Sequence, residues 1–270
     1  TERGFPNSMG DCFVPTTGPT EIALAGSMGI SDAAPVTHEA FRQWVIEDDF
    51  PLGRPPWQDA GATISDRVHD YETMKIRLLN GGHQVIAVAG DLLGMGTIAQ
   101  AISHPLIRGL FRKVAAEEIV PHVAPTPEMK PSTYLELIER RFANPQIADT
   151  TRRVAYDGSS RQPGFIVPSI RNALNVGAPT DGLALVSALW CRYCEGVREN
   201  GALIPPNDPH WDDLRGSAAA SRNDPTVWLD MERIYGDLGQ HDGFAEAFGN
   251  WRRKLTRDGV EAAIRQCIEN

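Results

Sequence analysis

Apolar positions in the first quarter of the chain come in short clusters with no long period. Glu21-Ile-Ala-Leu-Ala25 reads as an extended piece, and Ala40-Phe-Arg-Gln-Trp-Val-Ile-Glu47 as a partly buried strand carrying Phe41 and the Trp44-Val-Ile cluster. Pro51-Leu-Gly-Arg-Pro-Pro56 breaks the chain into a loop, and Ala62-Thr-Ile-Ser65 offers one more short strand. Beyond residue 66 the spacing turns helical. Helices are expected over 70–93, 97–118, 131–143, 145–155, 164–173, 181–199, 209–219, 224–236, 241–254 and 257–268. Thr180 or Asp181 caps one of them, Asn223 or Asp224 another with Pro225 in its first turn, and Gly201 with Pro205-Pro206 closes the helix holding Trp190. No repeat or low-complexity tract interrupts the pattern. The fold class expected is mainly α: a multi-helical domain over 66–270 preceded by a short mixed α/β segment, 1–65.

Composition agrees with a folded globular chain: 270 residues, 41% hydrophobic and 23% charged. A formal charge of −9 disfavours phosphate backbones and anionic membrane surfaces, so no nucleic acid and no membrane partner is expected. No apolar run approaches the ~18 residues of a membrane span, and Thr1-Glu-Arg-Gly-Phe-Pro6 does not read as a secretory signal. Four scattered cysteines, Cys12, Cys191, Cys194 and Cys267, suit reduced thiols better than a disulfide scaffold. The expected setting is cytoplasmic. The first residue is not Met, which leaves room for an upstream part.

The densest chemistry lies in Asp70-Tyr-Glu-Thr-Met-Lys-Ile-Arg-Leu-Leu-Asn-Gly-Gly-His83. At about 100° per helical residue, Lys75 at zero places Asn80 near ~140° and His83 near ~80°, within one half of the cylinder. Met74, Leu78 and Val85 form an apolar back, while Leu79 breaks the pattern by falling between Lys75 and His83. Asp70 is the expected N-cap and Glu72 suits the first turn; Gly81-Gly82 allows close approach to His83. Taken singly, each polar residue reads as structural: a solvated lysine, a turn asparagine, a helix-ending histidine.

Other patterns carry less. Gly94-Met-Gly-Thr-Ile-Ala99 matches G-x-G-x-x-A, yet the preceding Val85–Leu93 run continues a helix rather than a strand, so a turn between helices is expected and not a pyrophosphate cradle. Trp190-Cys-Arg-Tyr-Cys194 imitates a redox motif but sits in mid-helix, where buried packing is expected; zinc would need two further ligands. Arg152-Arg-Val-Ala-Tyr-Asp-Gly-Ser-Ser-Arg161 reads by itself as a solvated loop. Glu47, Asp48 and Asp49, and His38, His104, His122 and His210, receive structural readings.

Lys75, Asn80 and His83 within Met74-Lys-Ile-Arg-Leu-Leu-Asn-Gly-Gly-His83 resemble the Lys-x4-Asn-x2-His signature of the polyol-specific long-chain dehydrogenase/reductase family, of mannitol 2-dehydrogenase type. Phe5–Asp11, Gln43–Phe50, Gly53-Arg-Pro55 and Arg153–Phe165 look like further blocks of that family. The resemblance implies the C-terminal portion of a longer enzyme, with residues 1–65 the end of a nucleotide-binding domain whose Gly-rich half lies upstream. It implies metal-independent hydride transfer between NAD (NADP also possible) and a polyol/ketose pair, D-mannitol/D-fructose favoured. Lys75 would be the general acid/base, Asn80 an oxyanion donor and His83 a substrate-orienting group, with Asp11, Arg153 and Arg161 binding substrate. A hexuronate (fructuronate) reductase of the same family is the alternative, and a non-catalytic helical assembly domain the reading from another class.

Overall fold

A three-stranded sheet, order β1-β2-β3, stands at the amino-terminal end of the computed structural model, which describes residues 4–14, 17–147 and 149–270. β1 (Ser8–Asp11) runs antiparallel to β2 (Gln43–Ile46), with Met9 opposite Val45 and Asp11 opposite Gln43. β3 (Thr63–Ile64) pairs parallel to β2. Period-two alternation turns Met9 and Asp11 inward, and Met9 packs with Val45, Val68 and Tyr71 in a small cluster apart from the main core. The strands expected near 43–46 and 63–64 form, and β1 is an addition.

Glu21-Ile-Ala-Leu-Ala25 is not extended. It lies within helix α1 (Pro19–Ser27), started by Pro19 in the first turn and by the Glu21 carboxylate accepting the Gly18 N–H at 2.8 Å. The helix buries none of its residues, so an apolar sequence without helical period folded as a helix through its local capping.

The helical part begins with one continuous rod: α2 (Val68–Met74), a π-helical turn (Lys75–Asn80) and α3 (Gly81–Leu92). Met74, Leu78 and Val85 are buried in the main core as their spacing requires. The rod starts before Asp70, which sits in the first turn and pairs with Arg67 at 2.7 Å instead of capping. Gly82 lies inside the helix because the Phe111 ring presses against it; an added Cβ would come 2.6 Å from Phe111 Cε2.

The remaining helices are α4 (Ile98–Ser103), α5 (Pro105–Lys113) with a second π turn (Val114–Ile119), α6 (Pro131–Phe142), α7 (Thr151–Ala155), α8 (Gly158–Phe165), α9 (Val167–Asn175), α10 (Asp181–Cys194), α11 (Trp211–Ala220), α12 (Thr226–Leu229), α13 (Glu232–Tyr235) and α14 (Asp242–Glu269). Pro105 splits the span expected as one helix over 97–118. Residues 224–236 form two short turns rather than one helix. Gly259, at φ 83°, breaks α14 into two helices, a few residues beyond the break expected at 255–256. α10 is buried along almost its whole length and packs on α14, forming the centre of the core. Cys191 and Cys194 are buried in α10, with both thiols pushed up by burial, Cys191 to about 12. No helix among the described residues is long and apolar enough to cross a membrane.

Candidate active site

The π turn is what shapes the cleft. In a regular α-helix residues five apart diverge by about 140°, but i→i+5 bonding widens the turn and swings Asn80 back towards the face of Lys75. Lys75, Asn80 and His83 then line one cleft of about 320 Å³, together with Leu79, Gln84, Arg153 and Arg161. Such wide turns recur at functional sites because they trade regular bonding for a chosen side-chain direction. Leu79, the residue that broke the apolar pattern, forms part of the cleft wall.

Lys75 Nζ donates to the Gly10 carbonyl at 2.6 Å, so the amine is held at the end of β1 rather than released to solvent. The Asn80 amide caps no helix and faces the same space. The His83 ring is enclosed by Phe13 and Phe142, with centroids 5.2 Å and 4.4 Å away. Burial, reinforced by Arg153, Arg141 and Arg161, pushes its pKa down to about 3. The imidazole is therefore neutral at physiological pH, with one nitrogen able to donate and the other to accept.

The two predicted arginines arrive on separate helices. Arg153, in α7, forms a two-bond ion pair with Asp149, Nε to Oδ1 at 2.6 Å and Nη2 to Oδ2, and that pairing raises its pKa. Thr97 and Thr150 form a bridge, and Ile98 N–H donates to the Asp149 carbonyl at 2.9 Å. The Gly94–Ala99 motif is thus a helix-to-helix turn, as expected, whose backbone anchors the Asp149–Arg153 segment. Arg161, one turn into α8, donates to the Val154 carbonyl at 2.6 Å; burial, then its neighbour Arg153, lowers its pKa. Among the described residues Arg161 forms no ion pair with a carboxylate. The Gly158-Ser-Ser-Arg161 stretch, read as a loop, is helix α8, and Gly158 is there because Trp190 leaves no room for a side chain: an added Cβ would lie 2.4 Å from Nε1.

Asp11, expected to bind substrate, already has protein partners for its carboxylate. It contributes to the cleft wall, but both carboxylate oxygens turn into the protein and accept from Arg141 at 2.7 and 2.9 Å and from Tyr134 Oη at 2.6 Å. A carboxylate with a side chain 1% exposed must be paired, and Arg141 supplies that pairing ahead of any substrate hydroxyl.

Several residues in or beside the cleft escaped the sequence reading. Phe13 and Phe142 carry no signal beyond hydrophobicity, and Arg141 looks like any late-helix cation. Asp149 was findable, since it lies four residues before Arg153, the spacing of a helical ion pair. Gln84 is 1% exposed and lines the cleft; its Nε2 donates to the Val154 carbonyl at 2.9 Å while Oε1 has no partner among the described residues.

Fold and cleft define a class of protein: a helical body carrying a polar cleft of fixed cations and a neutral imidazole, set behind a short strand-containing segment. Residues 67–255 match the model of the mannitol dehydrogenase C-terminal domain, and residues 1–59 that of the mannitol dehydrogenase Rossmann domain. The chain belongs to the mannitol dehydrogenase family. It is 51% identical over 264 residues to a mannitol 2-dehydrogenase of Cereibacter sphaeroides, covering 98% of this chain and 55% of that protein. With the mannitol 2-dehydrogenase of Aspergillus terreus it shares 36% over 274 residues, covering 99% and 55%. Among solved structures, the ternary complex of Pseudomonas fluorescens mannitol 2-dehydrogenase with NAD and D-mannitol superposes with a TM-score of 0.90 at 34% identity, over 98% of this chain and 55% of that one. A substrate-free D-sorbitol dehydrogenase gives a TM-score of 0.86 at 27% identity, over 96% and 54%. The chain spans about half the length of the curated relatives it matches.

Proposed function

We propose that this chain is the substrate-handling portion of a nicotinamide-dependent polyol dehydrogenase that interconverts a polyol and a ketose, D-mannitol and D-fructose ahead of arabinitol or sorbitol. The observation that carries the reading is the meeting of Lys75, Asn80 and His83 in one cleft that Arg153 and Arg161 also line. The adjoining family matches support a division near residue 65 between the end of a nucleotide-binding domain and a helical substrate domain.

NAD, or NADP, accepts the hydride when bound. Its pyrophosphate does not fit the residues here, because Gly94–Ala99 leads from helix to helix and lacks the strand that a dinucleotide fingerprint follows. We therefore assign its binding to upstream residues of the longer protein. Lys75 Nζ takes up the hydroxyl proton during oxidation and returns it during reduction. The Asn80 amide cannot titrate and donates to the reacting oxygen as negative charge develops. Neutral His83 orients the substrate through a neighbouring hydroxyl. Arg153 and Arg161 hold distal hydroxyls, Arg161 with a guanidinium that is not paired to a carboxylate among the described residues. Asp11 supports the wall from behind through Arg141.

One observation favours the second reading, a hexuronate reductase: among the described residues Arg161 is held only by a backbone carbonyl, and it is suited to a substrate carboxylate. A cytoplasmic setting fits the buried free thiols of Cys191, Cys194 and Cys267. The test is steady-state kinetics of the full-length protein on D-mannitol with NAD and on D-fructose and D-fructuronate with NADH. Turnover of mannitol and fructose supports the first reading, preference for fructuronate the second, and no turnover of any of the three removes both.

A further inference from the structure

The stretch that ends β1 touches both sides of the cleft. Gly10 gives its carbonyl to Lys75 Nζ at 2.6 Å, and three residues later the Phe13 ring lies 5.2 Å from the ring of His83. Behind this stretch sits a buried guanidinium to which the reaction assigns no part. Arg141, near the end of α6, is 130 residues from Asp11 in sequence and bonds it through two nitrogens, Nη1 to Oδ2 at 2.9 Å and Nη2 to Oδ1 at 2.7 Å. Its Nε and Nη2 also donate to Glu39, the latter at 2.6 Å. The same group lies over two rings, 4.4 Å from the Phe13 centroid and 4.2 Å from that of Phe41.

Glu39 closes the arrangement on the other side. Its Oε1 accepts the Phe13 N–H at 2.7 Å, and its own N–H donates to the Phe13 carbonyl at 3.3 Å. Asp11 and Phe13 are thus each held twice, Asp11 by Arg141 and Tyr134, Phe13 by stacking on Arg141 and by Glu39. Two carboxylates and one guanidinium withdrawn from water give stability that a well-packed apolar group would match. An apolar group could not dictate the direction of the Gly10 carbonyl or the seat of the Phe13 ring, which fully satisfied polar networks do.

We propose that Arg141 is a positioning residue for the cleft: by clamping Asp11 and Glu39 and stacking on Phe13, it sets where the Gly10 carbonyl meets Lys75 and where Phe13 presses on His83. The inference rests on the roles proposed above for Lys75 and His83. Arg141 touches neither of their reacting atoms; it acts through residues 10–13.

The experiment uses the full-length protein with Arg141→Lys, which keeps the charge and loses the fork and the stacking plane, and Glu39→Gln, which keeps the shape. Kinetics on D-mannitol with saturating NAD, thermal unfolding and the ring signals of His83 in histidine-labelled protein by NMR are compared with wild type. R141K is expected to keep its NAD affinity, lose about 10- to 100-fold in kcat/KM for mannitol, chiefly in kcat, and shift the His83 ring signals as Phe13 leaves its seat. E39Q is expected to move both readouts the same way by less, and it carries the test if R141K does not fold. A folded variant with a lower Tm but unchanged kcat, KM and His83 signals overturns the proposal, because only stability would then depend on Arg141. If the wild type turns over no polyol, the functional reading falls, while the His83 signals still decide whether Arg141 sets the geometry.

Discussion

Lys75 Nζ donates to the Gly10 carbonyl across 65 residues of sequence, tying the π turn of the helical body to the last strand residues of the segment before it. The amine is thereby held beside the end of β1, on the wall of the cleft. Replacing Lys75 with Met in the full-length protein should lower kcat for mannitol oxidation by about 10²- to 10⁴-fold, as expected for loss of a general acid/base. NAD affinity, read by fluorescence titration, should be unchanged. Retained turnover would exclude a proton role.

Arg161 holds the more available of the two guanidiniums, Arg153 being tied to Asp149. Arg161→Ala should cost about 10- to 100-fold in kcat/KM, in line with loss of one or two charged hydrogen bonds. The loss should appear mainly in KM for the polyol. Asp149→Asn should free Arg153 and alter KM by less.

His83 has an opposite relation to acid from most histidines, since its folded pKa of about 3 lies below the ordinary 6.5. Between those values the unfolded chain binds the extra proton, so this residue's contribution to stability is present above pH 6.5 and is lost as pH falls towards 3. Unfolding of wild type and His83→Gln followed across that range should show the wild type losing more stability than the variant on acidification. Parallel curves would show that the imidazole is not enclosed as described.

Glu118 gives the opposite slope. Its carboxylate, in the second π turn, accepts the backbone N–H groups of Gly182 and Leu183 at the start of α10 at 2.7 and 2.8 Å. Burial nevertheless raises its pKa to about 7 from an ordinary 4.5. The folded protein then binds the extra proton between those values, so this contribution is full below pH 4.5 and declines as pH rises through 7. Relative to Glu118→Gln, the wild type should lose stability between pH 5 and 8 in chemical unfolding; a difference independent of pH would count against the shift.

Gly82 links packing to the cleft, because Phe111, which fills the space beside it, stacks edge-on against Phe142 with centroids 5.7 Å apart, and Phe142 in turn encloses His83. Gly82→Ala should destabilise by about 1–3 kcal/mol through overpacking despite the better helix propensity of alanine. Calorimetry of the variant should show a lower Tm together with reduced turnover. A higher Tm would mean that Phe111 yields freely.

Local sequence alone determined a good deal of this protein. The spacing of Met74, Leu78 and Val85 made the rod through Lys75 helical and chose its buried side, and Gly259 divided the last helix. The mid-helix position of Cys191 and Cys194 settled their burial, and the turn nature of Gly94–Ala99 followed from the helix before it. These outcomes depend on neighbours within a turn or two, which the chain itself supplies. Where a local cue competed, the reading failed: Pro19 and Glu21 made a helix of an apolar stretch, and Pro105 split another.

Tertiary structure decided the rest. An ideal helix put Lys75 and Asn80 in one half of the cylinder but about 140° apart, and the π turn, supported by packing, narrowed that angle. Asp11 carried no local sign that its carboxylate would turn inward, because the partner that claims it, Arg141, lies 130 residues on. The neutral state of His83 likewise comes from burial between Phe13 and Phe142 and from three arginines on three helices. Burial and charge proximity are properties of chain segments brought together from afar, so side-chain identity could nominate candidate site residues while only folding could assign their partners.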